Sequence, residues 1–438
     1  MKEGVLYRDL YFEKNSFFRM VLEPSGVEEV SSGFETGLSY REILSNFKNL
    51  FTYTTHNFSS FLNEKASSFC KKDLFNEFSV ALRESLKRKE LPFSVERYYA
   101  FLKELEKKIP KFSEIKHYRL GVSERRRYSF ILTSDGEFKE TERRYVRVVA
   151  MVVAEREGNL QRGYEARGFT LSLEEAIKID PNIYFLSQRA ANLALLMLSA
   201  RKVKAGVMPV VLSGEAGGTM IHEAVGHGLE ADHAEEGLSI YSEKRGEKVA
   251  SPLITVIDDP TIPNLYGSYA MDDEGVPGER VVLIEKGILK NFLYDRYSAL
   301  KYNKTSNGHG RREDFRHLPI PRMSNTFIAP GEDKVEDIIN SIKEGILVKK
   351  MGGGEVNPLT GDFVFEVVEG YYIDRGEIAY PIKGATLVGN GPKVLESIDM
   401  VSSDLHFEAG TCGKDGQGVP VSDGQPTLRI PELTVGGV

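Results

Sequence analysis

His222, Glu223 and His227 fall within one short run, residues 218–232. Two imidazoles can each lend a neutral nitrogen to a divalent ion such as zinc. A carboxylate beside one of them can take a proton from a water held on that ion. The spacing is His-Glu-x-x-x-His, one residue longer than the His-Glu-x-x-His of familiar zinc peptidases. On an α-helix, residues four apart lie about 40° apart around the axis and share a face, whereas residues five apart lie about 140° apart. A regular helix therefore cannot aim both rings at one ion. A single π-turn restores the alignment, and Gly226 lets the backbone distort just before the second histidine. The segment is expected to be a helix deformed at Val225 and Gly226, or one that ends before His227. Taken alone, the hexapeptide is equally compatible with two histidines that merely fall beside a glutamate on an amphipathic helix.

A zinc site with two histidines needs a third protein ligand and an open position. Glu230, Asp232 and His233 are the nearby candidates. Cys412, framed by glycines in residues 410–418, is the distant one. Thiolate is the stronger zinc ligand, while closeness in sequence favours Glu230, and spacing does not choose between them. Cys70 reads instead as a small buried hydrophobe. Arg311, Arg312, Arg316 and His317 could hold a substrate carboxylate or carbonyls, or could form a salt-bridged loop facing Asp272, Asp273 and Glu274. Gly352, Gly353 and Gly354 lack the Lys-Ser or Lys-Thr of a phosphate loop. They read as a place of close backbone approach, beside an edge strand that accepts an extended peptide. The pairs Asp258-Asp259 and Asp272-Asp273 lack calcium-loop spacing and read as turn residues.

The chain that must position these groups has 438 residues, 41% hydrophobic and 28% charged, with net charge −7. That is a soluble globular balance, enough for two or three domains, and nothing in it favours nucleic acid or an anionic membrane. No apolar run reaches the ~18 residues of a spanning helix, and the first ten residues carry no signal-peptide core. Two cysteines do not make a disulfide framework, so a reducing cytoplasm is expected. Residues 7–12 and 17–22 read as two short strands joined at 14–16. Residues 38–51, 58–72, 73–89 and 94–108 read as helices. From 116 to 167 the period changes to two, with a hairpin signal at Ser134-Asp135-Gly136, which predicts a meander of long antiparallel strands. Residues 173–200 read as helical, and a domain boundary is placed near 200. Residues 208–212 then form a buried strand feeding the histidine segment. Beyond 250, short strands separated by Gly, Pro and Asp turns surround one helix at 335–344. The expected fold is α+β: residues 1–200 form a mixed domain of antiparallel strands and helices, and residues 201–438 form a mostly-β, barrel-like domain carrying the histidine helix.

Longer motifs carry a resemblance. Residues 222–232, Asp272-Asp273-Glu274-Gly275, Gly310-Arg311-Arg312-Glu313, 317–319, 321–326, 352–354, 384–387, 412–417, 424–428 and 433–437 together resemble the TldD/PmbA family of metallopeptidases, formerly labelled modulators of DNA gyrase. The intact His-Glu-x-x-x-His segment is similar to the TldD branch. The resemblance implies zinc held by His222, His227 and Cys412. Glu223 would be the general base that deprotonates the zinc-bound water and passes the proton to the leaving amine. Apart from the resemblance, Arg311, Arg312, His317 and Gly353 are candidate substrate-binding positions from their residue types. The resemblance further implies unfolded or flexible peptide substrates, and a homodimer or a heterodimer with a PmbA/TldE-like relative. Two other functions compete: a cysteine peptidase with Cys412 as nucleophile, and a non-catalytic regulatory or scaffold subunit.

Overall fold

The structure, a computed structural model, describes residues 4–69, 71–87 and 93–437. Cys70 lies outside the described residues. Six antiparallel strands form the first sheet: β1 (Val5–Glu23), β2 (Gly26–Leu44), β3 (Asn49–Thr54), β4 (Ile115–Thr133), β5 (Phe138–Arg156) and β6 (Asn159–Phe169). Their order is β3-β2-β1-β4-β5-β6. The predicted meander is β4 to β6.

Successive strand residues point to opposite faces, and this sheet uses both. Even-numbered residues such as Leu10, Phe12, Phe18 and Met20 pack under the helices, as do Leu120, Val122, Val148 and Ala150. Those helices are Lys72–Lys87, Val95–Lys107 and Leu186–Leu198. Odd-numbered Asp9, Tyr11, Glu13 and Arg127 are also buried, but they face the C-terminal half.

Three local expectations change. Residues 7–12 and 17–22 are one strand, because Lys14 and Asn15 are not a turn. Lys14 Nζ donates to the Ser85 carbonyl at 3.2 Å, and Asn15 Oδ1 accepts from Arg125 at 3.1 Å. Residues 38–51 are not helical. Leu38 and Tyr40 lie opposite Phe12 and Leu10 of β1, and this pairing overrides the local pattern. The helix expected over 173–200 is broken at Pro181, which has no backbone donor. Leu173–Ile179 ends before it and Leu186–Leu198 begins after a 3₁₀ turn.

The C-terminal half matches the barrel-like expectation. Strands Glu344–Val356, Gly206–Leu212, Leu428–Gly436, Thr386–Asn390 and Asp362–Asp374 pair in that order, and the last pairs back with the first to close the ring. A second six-stranded sheet contains Asn325–Ile328 beside Gln417–Gln425, with His406–Lys414 at its edge. The helix predicted over 335–344 is Val335–Asn340, and short helices at Arg296–Lys301 and Gly391–Ser397 join it.

A buried ionic latch ties the first sheet to the loops of the C-terminal half. Arg41 pairs with Asp9 at 2.5 Å and Glu274 at 2.8 Å, and all three side chains are closed to solvent. Asp273 receives Arg143 at 3.0 Å and Arg127 at 3.5 Å. The basic residues of β4 and β5 divide between this latch and the surface. Arg127 and Arg143 serve the latch, while Arg144 points outward beside Glu142.

Candidate metal centre

The barrel strand Gly206–Leu212 delivers the chain into the histidine segment. A 3₁₀ turn, Gly214–Ala216, leads to one helical turn, Thr219–Ile221, and then to a π-turn over His222–Gly226. The His227 N–H donates to the His222 carbonyl, five residues back, so the extra residue of the motif is absorbed as anticipated. Two glycines make the fit possible. A Cβ on Gly218 would lie 2.5 Å from the Gly424 nitrogen, and one on Gly226 would lie 2.0 Å from Met323 Sδ. Ile221, Val225 and Leu229 anchor the segment in the core.

The π-turn sets the two rings perpendicular, with centroids 5.0 Å apart. The edge strand His406–Lys414 brings Cys412 to them, placing its Sγ 3.5 Å from His227 Nε2. One ligand atom from each of His222, His227 and Cys412 lies within 4.8 Å of the others. Each ring is held from behind. His222 Nδ1 donates to Asp423 at 2.6 Å, and His227 Nδ1 donates to Glu230 at 2.9 Å. A carboxylate on Nδ1 fixes the tautomer, leaves Nε2 as the ligand atom and raises its basicity.

Electrostatics follow this geometry. Burial alone would depress His222, but Asp423 and Cys412 hold it well above the ordinary imidazole value. His227 is likewise raised to about 9 despite burial, by Glu230 and Cys412. Burial would raise the Cys412 thiol, yet the two imidazoles bring it down to about 5. The sulfur is therefore thiolate near neutral pH, the form that binds metal. Two nitrogens and one thiolate at this separation suit a zinc ion with one position left open. Binding there requires the imidazoles to give up protons.

Glu230, weighed above as a ligand, stands behind His227. Burial would raise its pKa, but Lys414 and His227 hold it far below the carboxylate range. Lys414 Nζ reaches Glu230 at 2.9 Å and Asp232 at 2.6 Å, so the neighbouring group of Glu230, Asp232 and His233 already contains a cation. Arg322 donates to the Cys412 carbonyl at 2.5 Å and braces the strand. Glu223 follows the first histidine and is half-buried, and its carboxylate makes no hydrogen bond among the described residues.

The other candidate positions are dispersed. Arg311 and Arg312 are fully buried. Arg311 donates to the Met323 and Pro420 carbonyls, while Arg312 stacks on Tyr11 at 4.1 Å and donates to Asp273. His317 is partly exposed and pairs with Asp314 at 2.9 Å. Gly353 is exposed on strand Glu344–Val356, in the wall of a cleft of about 640 Å³. That cleft lies between β5, β6 and the barrel, and its wall runs to Gly217 and Thr219, three residues before His222. Asp258 is not a turn residue as anticipated: it is a buried strand carboxylate paired with His309 at 2.9 Å. Asp272 does organise a turn, accepting the Glu274 and Val276 amides. Asp423, Lys414 and Arg322 were not singled out from sequence. Their only signal is position within or beside the shared motifs, since strand register alone brings Asp423 to His222.

Residues 88–198 match the model of the PmbA/TldA metallopeptidase central domain, and residues 205–437 match that of the C-terminal domain. The chain is 43% identical over 312 residues to a metalloprotease TldD homolog of Haemophilus influenzae, an alignment covering 70% of this chain and 65% of that relative. It thus spans slightly less than two thirds of that relative's length. It is 35% identical to a metalloprotease of Methanocaldococcus jannaschii, covering 97% of this chain and 95% of the relative. It is also 35% identical to a zinc metalloprotease TldD homolog of Saccharolobus solfataricus, over 58% of each. The fold resembles a crystal structure from Thermotoga maritima described as a putative modulator of a DNA gyrase, with TM-score 0.78, 20% identity and coverage of 98% and 96%. It also resembles TldE from Thermococcus kodakarensis, with TM-score 0.71, 19% identity and coverage of 99% and 97%.

Proposed function

The chain belongs to the TldD/PmbA metallopeptidase family, and from that premise we propose that it is a zinc-dependent peptidase acting on unfolded or flexible polypeptides. One observation carries the reading: two imidazoles and a thiolate 185 residues further along the chain converge within 4.8 Å, each ring backed by its own carboxylate. His222, His227 and Cys412 would hold the ion. When bound, it supplies the Lewis acidity that polarises a peptide carbonyl and acidifies a water at the open position. Glu223, with no competing partner, would take that water's proton and return it to the departing amine. Asp423 and Glu230 keep the rings aimed, and Lys414 keeps Glu230 ionised.

Substrate would enter along the 640 Å³ cleft. Strand Glu344–Val356 pairs with Gly206–Leu212 only through Val348. Beyond that residue, its edge facing the cleft has no strand partner among the described residues. An extended peptide could hydrogen-bond to this edge through its main chain, with little demand on sequence. The proposal includes pairing with a TldE-like relative or with a second copy, as the family resemblance implies. Among the described residues no helix is long and apolar enough to cross a membrane. A reducing cytoplasm would keep the Cys412 sulfur unoxidised and available as a ligand.

The test combines metal analysis with cleavage of denatured peptides, by the protein alone and with a TldE-like partner. Glu223→Gln is expected to keep its zinc and lose cleavage at least about 10²-fold, whereas Cys412→Ser loses zinc. Because the lowered thiol beside imidazoles also fits a cysteine peptidase, chelation decides between the two. Activity that survives chelator but not alkylation would replace the metal reading. A zinc-loaded protein that cuts no denatured peptide in either setting would overturn catalysis in favour of a scaffold role.

A further inference from the structure

Charge along the 640 Å³ cleft is not balanced. Part of it is committed to neighbours: Lys350 to Glu165 at 2.5 Å, Glu408 to Arg167 at 3.2 Å and Glu215 to Lys349 at 3.3 Å. Of the remaining charges in the wall, Arg147, Arg162 and Lys383 have no carboxylate partner among the described residues, and they face the single free carboxylate of Glu366. The whole chain carries net charge −7, so this local surplus of cations runs against the protein's own balance. Arg162 is exposed on β6, and Lys383 reaches only the Asn159 amide oxygen, at 3.5 Å. Arg147 on β5 donates through Nη2 to the Tyr164 hydroxyl at 3.3 Å, and its Nε is enclosed without an acceptor. Its Nη1 is neither enclosed nor bonded among the described residues, and is the nitrogen that a ligand in the cleft can reach. A cleft with low-dielectric walls focuses the field of such charges on whatever enters it.

We propose that the cleft selects acidic stretches of polypeptide, with Arg147, Arg162 and Lys383 receiving Asp and Glu side chains on one side of the cleaved bond. This deepens the peptidase reading and rests on it. Arg147 marks the end of the cleft nearer the histidine–cysteine centre. It lies opposite Gly168 in the β5–β6 register, and a Cβ on Gly168 would lie 2.9 Å from the Ala409 Cβ. Ala409 lines the cleft and precedes Cys412 by three residues on one strand, about 10 Å at ~3.3 Å per residue. Thr219, in the same wall, precedes His222 by three residues, about 4.5 Å of helical rise. Arg162 stands six residues along β6 from Gly168, about 20 Å further out, and Lys383 joins that end through Asn159. From Cys412 outward, the three cations therefore fall within a path of at most about nine extended residues.

The experiment measures binding of fluorescent peptides to Glu223→Gln protein by anisotropy, and their cleavage by the active protein. Three peptides share one sequence around the bond that is cut. They carry several Glu, Gln or Lys residues within about nine positions of it, on each side in turn. Exposed ion pairs are each worth a few-fold at most, so on one side the Glu peptide should bind about tenfold tighter than the Gln peptide, with the Lys peptide weakest. Raising salt to ~0.3 M should shrink the preference. Joint substitution Arg147→Gln, Arg162→Gln and Lys383→Gln should abolish it, whereas Glu366→Gln should widen it, opposite responses that a merely structural role would not give. Equal binding of the three peptides, a preference for Lys, or a Glu preference that the joint substitution leaves intact overturns acidic selection while the peptidase reading stands. Peptides that are neither bound nor cut sink both. Thermal melts check that the jointly substituted protein is folded, and Arg162→Gln alone, at an exposed position, carries the comparison if it is not.

Discussion

The ionic latch and the histidine–cysteine centre are both built from buried charge, yet they are completed in different ways. In the latch every charge meets its opposite within the protein: Arg41 lies against Asp9 and Glu274, and Arg127 and Arg143 against Asp273. At the centre, carboxylates hold the outer nitrogens of the two rings, and the inner side of the cluster is closed by the Cys412 sulfur, 3.5 Å from His227 Nε2. The inner ring nitrogens and the Cys412 sulfur point at one another. Buried charges that meet their opposites hold elements together, whereas two nitrogens and a sulfur gathered within 4.8 Å form a donor set that suits an ion. Of the Arg311–Arg312 motif, a candidate for substrate contact from its residue types, Arg312 joins the latch through Asp273 and Arg311 is engaged by the Met323 and Pro420 carbonyls.

The sharpest way to break the comparison is to remove one latch cation. Arg127→Ala leaves Glu13 and Asp273 buried without that partner. It should cost on the order of 3–5 kcal/mol in chemical unfolding, with zinc per folded molecule unchanged. A stable variant that had lost its metal would show that the two clusters are one unit. At the centre the expected effect is smaller and of another kind. Asp423→Asn should weaken zinc affinity about 10–100-fold, measured by chelator competition, while unfolding of the metal-free protein shifts little.

The smallest effect concerns pH. Asp295, buried beside the latch, is raised to about 7 by burial and by the charge of Glu274. In the unfolded chain it titrates near 3.9. Between those values the folded state binds more protons than the unfolded, so this residue makes stability fall as pH rises from about 4 to about 7. Urea unfolding across that range should show a flatter profile for Asp295→Asn. An unchanged profile would remove Asp295 from the latch's titration. Asp273 acts in the opposite sense: burial is outweighed by Arg127 and Arg143, its pKa is depressed, and its contribution is lost as pH falls below the usual carboxylate range.

The meander was legible because period-two alternation over 116–167 admits few other structures. The π-turn was legible because five-residue spacing cannot serve one ion on a regular helix. Residues 38–51 were misread because the partners of Leu38 and Tyr40 lie on β1, at Phe12 and Leu10, and not in the local pattern. Arg311 and Arg312 remained ambiguous for a related reason: the same guanidinium suits a substrate or a buried aspartate, and only their enclosure tells which partner each has.

By itself the sequence determined the kinds of donor available, the deformation of the helix that carries two of them, and the alternation that builds the strands. Those follow from bond geometry over a few residues. Tertiary structure alone decided that Cys412 rather than Glu230 completes the cluster and that Asp423 stands behind His222. Each depends on strand register and packing between segments far apart in the chain, and local spacing carries no information about which of them meet.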